Sequence, residues 1–307
     1  MLRGMLLWAS ENPWLSRRLP RLGFVRRAVS RLMPGEDVAS ALAATAELNG
    51  RKIGAVLTLL GENLENASEA EGVVRHYLDV MEAIAARRLD AEVSVKLTHL
   101  GLDLDPAMAE ANLVRLVRAA AGHGQDLWVD MESSAYTRRT LDMFGRVRAQ
   151  HENVGLALQS YLRSSDQDLE ALLPLRPMIR LVKGAYAEPA AIAYPDKGDV
   201  DRAYERLAHR LLESAAAAGG PREILGTHDR RIIASLIEWA GERELAPGAY
   251  EIHMLYGIQR EEQLRLVGEG RRVMVLISYG SAWFPWYMRR LAERPANLWF
   301  VLRNLFG

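Results

Sequence analysis

Short apolar runs alternate with longer stretches of helical period along most of this chain. The runs at 53–60, 93–97, 127–130, 154–159, 179–182, 224–226, 250–254 and 273–277 read as β-strands, short and mostly apolar, rich in Val, Ile and Leu. Between them, residues 69–88 put Val73, Val74, Tyr77, Val80, Met81 and Ile84 on one helical face. Pro106 suits the first turn of a helix carrying Leu113, Leu116 and Val117, and residues 38–49, 203–218 and 230–241 show the same period. Strand–helix alternation implies a parallel sheet. Eight such units predict an α/β fold, a closed (β/α)8 TIM-like barrel with additional N-terminal helices, for which the 307 residues suffice. The expected division is a basic amphipathic segment over 1–37 and a single catalytic domain over 38–307.

Composition changes this picture in three places. Cysteine is absent, which removes disulfides, thiolate nucleophiles and cysteine metal sites and suits a reducing cytoplasm. The net charge of zero hides an asymmetry, since residues 1–34 hold seven arginines and one acid, interleaved with Leu6, Leu7, Trp8, Trp14, Leu15, Phe24 and Val25. Such a segment lies on an anionic membrane surface or packs its apolar face on the barrel. It makes a poor signal peptide, although its composition is compatible with a transit peptide. Third, only four lysines occur among 39 basic residues, and two of them, Lys96 and Lys183, fall at strand ends.

In a (β/α)8 barrel, chemistry sits at the C-terminal ends of the strands. Seven of the eight exits here carry polar or aromatic residues: Lys96, Asp130-Met131-Glu132, Gln159, Arg180 with Lys183-Gly184-Ala185, Thr227-His228, Leu255-Tyr256 and Tyr279. Arg180 lies inside an apolar run, where a charge is costly unless paired or bound, and Gly184 permits close backbone approach of a ligand. After the last strand, Pro285 opens a helical stretch in which Arg289, Arg290 and Glu293 share one side. Two adjacent guanidinium forks match a small carboxylate. No H-x-H, H-E-x-x-H, G-x-S-x-G or G-x-G-x-x-G pattern occurs, so neither a catalytic metal nor a Rossmann-type nucleotide site is expected. Two other readings stand beside a barrel-mouth cofactor enzyme. One is a Schiff-base aldolase using Lys96 or Lys183, the other a membrane-surface scaffold built on residues 1–34.

Taken in order, Glu92-Val-Ser-Val-Lys96, Asp130-Met131-Glu132, Arg180-Leu-Val-Lys183-Gly-Ala-Tyr186, Thr227-His228-Asp229, Met254-Leu-Tyr-Gly257 and Arg289-Arg290-x-x-Glu293 resemble the monofunctional bacterial type of the FAD-dependent proline dehydrogenase family. The resemblance runs from about residue 40 to the C-terminus and implies that the (β/α)8 barrel is a distorted one. It implies hydride transfer from C5 of L-proline to flavin N5, giving 1-pyrroline-5-carboxylate, with electrons passed to membrane quinone and no nucleic-acid partner. It also implies roles for single residues. Lys96, Arg289 and Arg290, with Glu293 restraining one of the two arginines, hold the substrate carboxylate. Tyr186, Leu255 and Tyr279 line the ring pocket. Arg180 stands near N5 and Asp130 organises it, both counted as catalytic. Met131, Gln159, Val182, Lys183, Gly184, Ala185, Thr227 and His228 hold FAD. Trp286 replaces a tyrosine usual in the family, which leaves the choice between proline and hydroxyproline open. The expected location is the cytoplasm, with residues 1–34 against the inner face of the cell membrane.

Overall fold

Eight parallel strands close into one barrel, β1-β2-β3-β4-β5-β6-β7-β8, with β1 hydrogen-bonded to β8. The computed structural model describes residues 29–61, 64–216, 222–246, 248–284 and 286–288. The elements run α1 (Val38–Asn49), β1 (Gly54–Leu59), α2 (Ala67–Ala86), β2 (Ala91–Val95), a 3-10 turn (Thr98–Leu100), α3 (Pro106–Gly122), β3 (Leu127–Val129) and α4 (Ser134–Arg148). They continue with β4 (Val154–Gln159), α5 (Ser165–Leu172), β5 (Met178–Val182), α6 (Lys197–Ala216), β6 (Glu223–Gly226), α7 (Arg230–Glu242), β7 (Tyr250–Leu255), α8 (Arg260–Gly268) and β8 (Val273–Tyr279).

Caps set several boundaries that periodicity alone places loosely. The helix expected over 69–88 is Ala67–Ala86, because Asn66 accepts from the Glu69 amide (3.1 Å) while the Glu69 carboxylate accepts from the Glu65 amide (2.8 Å). Asp105 caps α3 ahead of Pro106 and Asp229 caps α7. The second strand ends at Val95, two residues early, because Leu97 already leads into the 3-10 turn. Helices α4, α5 and α8 had no counterpart in the periodicity reading. Their apolar faces are short and interrupted by polar residues.

Two apolar layers follow from the two faces of the strands. Odd-numbered positions on β8, such as Val273, Val275, Ile277 and Tyr279, join the layer between barrel and helices. The lumen is filled instead by Val56, Trp128, Met178, Ile224 and Met274, with Leu276 packed above them. Burying each such side chain contributes about 1.5–3 kcal/mol. The lumen is therefore a plug, and only its C-terminal mouth is left for chemistry. No helix among the described residues is long and apolar enough to cross a membrane.

Candidate active site

Lumen parity decides which polar side chains can meet. On β2 the positions facing inward are Glu92 and Ser94, and Lys96 continues that parity just past the strand. On β3 the inward position is Trp128, with Asp130 continuing its parity just past the strand, and β5 contributes Arg180 and Val182. Arg180 is only 4% exposed and ion-pairs with Asp130 through Nη2. The same Nη2 donates to Ser94 Oγ at 2.9 Å, and Ser94 in turn donates to Asp130 Oδ1 at 2.8 Å. Burial presses the Arg180 pKa down and the Asp130 charge opposes it. One guanidinium nitrogen, Nη1, stays buried without a hydrogen-bond partner. Gln159 is equally buried. Its amide nitrogen reaches the Met131 carbonyl at 3.5 Å, and its Oε1 has no partner. Lys96 is 9% exposed; its carbonyl accepts the His99 amide at 3.1 Å, but its ammonium has no hydrogen-bond or ion-pair partner among the described residues.

The rim between β5 and β6 is built differently. The Ser160 and Tyr161 amides donate to the carbonyls of Val182 and Lys183, extending the β4–β5 ladder beyond both strands. Gly184 then turns the chain with φ +115°, and a Cβ there would lie 2.3 Å from the Tyr161 ring. Lys183 Nζ is held by Asp201 (2.5 Å) and Asp229 (3.4 Å), two carboxylates that Lys197 shares. Thr227 is buried, and its hydroxyl accepts from the Asp229 amide at 3.2 Å. His228 Nε2 accepts the Leu255 amide at 2.8 Å, which puts the proton of the neutral ring on Nδ1. Ala185, Tyr186 and Leu255 are half-buried around this rim.

The structure thus gathers Lys96, Asp130, Arg180, Gln159, Val182 and Leu255 on the lumen face of the mouth, with Lys183, Gly184, Thr227 and His228 at its β5–β6 edge. It does not bring Tyr279 in with them. That ring stands on the helix-facing parity of β8, fully buried, its hydroxyl 2.8 Å from His76 Nε2 on α2. The β8 residues with lumen parity near the mouth are Ser278, which is buried, and Leu276, which is half-buried although it sits inside a strand. Period-two counting from Ser278 would have found it, and would have found Ser94 from Lys96. Arg289, Arg290 and Glu293 lie outside the described residues.

A flavin fits this mouth. Its pyrimidine edge needs an acceptor and donors, which Gln159 Oε1 and Arg180 Nη1 offer unpaired. Comparison with known proteins agrees, since residues 41–303 match the family model described as proline dehydrogenase. The chain belongs to the proline dehydrogenase family. It is 35% identical over 305 residues to proline dehydrogenase 1 of Bacillus subtilis (strain 168), covering 99% of both chains. It is 36% identical over 282 residues to proline dehydrogenase of Deinococcus radiodurans, covering 90% of this chain and 89% of that one. Among solved structures it resembles proline utilization A (PutA) from Bdellovibrio bacteriovorus inactivated by N-propargylglycine, with TM-score 0.82, 22% identity and 95% of this chain covered. It spans 36% of that longer chain, and the likeness is one of fold. Membership of an oxidoreductase family sets aside both the aldolase and the scaffold readings.

Proposed function

We propose that this protein oxidises L-proline at C5 to 1-pyrroline-5-carboxylate, using FAD held non-covalently in the barrel mouth and passing electrons to a membrane quinone. The observation that carries this reading is a set of polar groups on one lumen face: Arg180 Nη1 and Gln159 Oε1, buried without a hydrogen-bond partner, and beside them the Lys96 ammonium, which has no partner among the described residues. Leaving buried polar groups unpaired costs about 1–3 kcal/mol each, so their persistence together points to a polar ligand.

A flavin bound there supplies a two-electron acceptor that takes hydride from the substrate. The protein's part is to bind, orient and exclude water. Gln159 and Arg180 would hold the pyrimidine edge and the region of N5, Arg180 fixed by Asp130 and Ser94. Lys183, Gly184, Ala185, Thr227 and His228 would hold the remainder, with Met131 and Val182 alongside. A positive charge that cannot leave beside the ring favours its reduced, anionic form. The absence of cysteine leaves no thiol for a thioether to the cofactor, and His228 Nε2 is already engaged by the Leu255 amide. Lys96, joined by Arg289 and Arg290 as the family resemblance implies, would hold the substrate carboxylate, while Leu255, Tyr186 and Leu276 would wall the apolar ring. Residues 1–34 would bring the enzyme to the anionic membrane that contains its acceptor.

The test is a visible spectrum of the purified protein under anaerobic conditions. A flavin spectrum that bleaches on addition of L-proline supports the reading, and a colourless protein, or one unchanged by proline, refutes it. Removing residues 1–34 should weaken binding to anionic vesicles more than it slows proline-dependent dye reduction. Equal vesicle binding by both forms would sink the membrane role.

A further inference from the structure

Asp130 and Ser94 grip Arg180 on one side only, and a buried guanidinium held on one side is free to tilt. Its aromatic neighbour is Trp128. The guanidinium carbon of Arg180 lies 5.2 Å from the centroid of the indole, within cation–π range. This indole is itself held in several ways. Its N–H donates to Glu92 Oε2 at 2.6 Å. Its six-membered ring occupies the space over Gly155 on β4, where a Cβ would come within 2.4–2.8 Å of three ring carbons. The His253 ring meets it edge-on at 6.1 Å.

The base of the barrel completes the support. Arg222, which precedes β6, also approaches the indole, at 5.7 Å from the centroid. Its guanidinium is bound by Glu92, by Asp126 at 2.7 Å and by Glu251 at 2.7 and 2.8 Å. Three carboxylates around one arginine leave it no alternative position, and one of them, Glu92, is the acceptor that orients the indole. A continuous chain of contacts therefore runs from the ion-paired base through Trp128 to Arg180. Nothing in it touches the mouth except Arg180, and nothing in the substrate pocket explains why β4 must carry glycine at 155.

We propose that Trp128 is a positioning residue for Arg180. The indole face sets the plane of the guanidinium, with Gly155 and Glu92 fixing the indole, so that Nη1 is kept for the flavin. The proposal rests on the reading of the mouth as a flavin site. It predicts a division of labour in which Trp128 acts on the cofactor and leaves proline binding alone.

The experiment uses the full-length protein, loaded with FAD, in three variants. Trp128→Leu removes the aromatic face. It is expected to slow flavin reduction at saturating L-proline by about tenfold, in line with a desolvated cation–π contact, with KM for proline changed by less than about twofold. The midpoint potential of the bound flavin should move negative, because a cation beside it has become mobile. Trp128→Phe keeps a ring face without the N–H and should recover most of the loss. Gly155→Ala leaves the indole's chemistry intact but displaces it, and should move the potential in the same direction as Trp128→Leu. A Trp128→Leu or Gly155→Ala protein that loses thermal stability yet keeps the wild-type potential and reduction rate would make Trp128 a core residue only, and would overturn the proposal. So would a rise in KM for proline with an unchanged potential. Wild-type protein that takes up no FAD would instead overturn the reading of the site, and this inference with it.

Discussion

At the scale of single residues, the mouth is unusual for what its charges lack. Lys96 is almost enclosed and its ammonium has neither a carboxylate partner nor a hydrogen-bond acceptor among the described residues. Arg180, by contrast, has its counter-ion in Asp130 and yet leaves Nη1 unpaired. A lysine in this state suits an anion, and we propose that the proline carboxylate, the anion the reaction offers, is the one it takes. Lys96→Met retains the length and apolar bulk of the side chain and removes its charge. A charge-assisted hydrogen bond contributes about 1.5–3 kcal/mol. Steady-state kinetics should therefore show KM for proline raised roughly ten- to a hundredfold, with kcat reduced less, the pattern of lost uniform binding. If kcat falls and KM stays constant, Lys96 acts on the chemical step and the carboxylate lies elsewhere.

At the scale of elements, the exit of β5 combines a positive-φ glycine with an aromatic lid. Gly184 at φ +115° lies under the Tyr161 ring, and the Tyr161 amide is bonded to the Lys183 carbonyl beside it. Glycine is required twice, once by the backbone angle and once by the ring. Gly184→Ala should lower the unfolding free energy by about 1–3 kcal/mol, and should release FAD more readily if Lys183 and Ala185, which flank the turn, hold it as proposed. Denaturant unfolding and cofactor titration would check both. Normal FAD affinity in a destabilised Gly184→Ala protein would show that the turn is architectural and does not touch the cofactor.

For the whole molecule, buried titratable groups tie stability to pH. His99 sits in the 3-10 turn after β2, packed against Gly61, where burial and the neighbouring Lys96 and His76 charges lower its pKa from 6.5 to about 4. Between those values the unfolded chain takes up a proton that the native state refuses. The stabilisation is thus complete above about pH 6.5 and is lost as pH falls towards 4, at about 1.4 kcal/mol per pH unit while the window lasts. His99→Gln abolishes this proton uptake. The difference in unfolding free energy between wild type and His99→Gln should therefore change with that slope from pH 6.5 to 4.5 and be flat above 7. A flat difference throughout would mean that His99 titrates alike in both states. Glu223, buried and raised well above the usual carboxylate range, acts with the opposite sign, so the comparison with the variant is needed to isolate the histidine.

Local pattern was enough to determine the eight strands, their parallel direction, most of the helices and the concentration of unusual residues at strand ends. Apolar runs and helical periods are properties of neighbouring residues, and a parallel sheet follows from their alternation. Which of those residues meet was decided by the closed barrel. Asp130 and Arg180, fifty positions apart, face each other because register and closure point both into one lumen. Tyr279 and Leu276 differ by an odd number of positions and so part company, the first into the layer under α2 and the second into the mouth. No local signal could have joined Arg222 to Glu92 across 130 residues, or matched the indole of Trp128 to the missing side chain of Gly155. Those pairings depend on the stagger between strands, which is set only when the last strand hydrogen-bonds to the first.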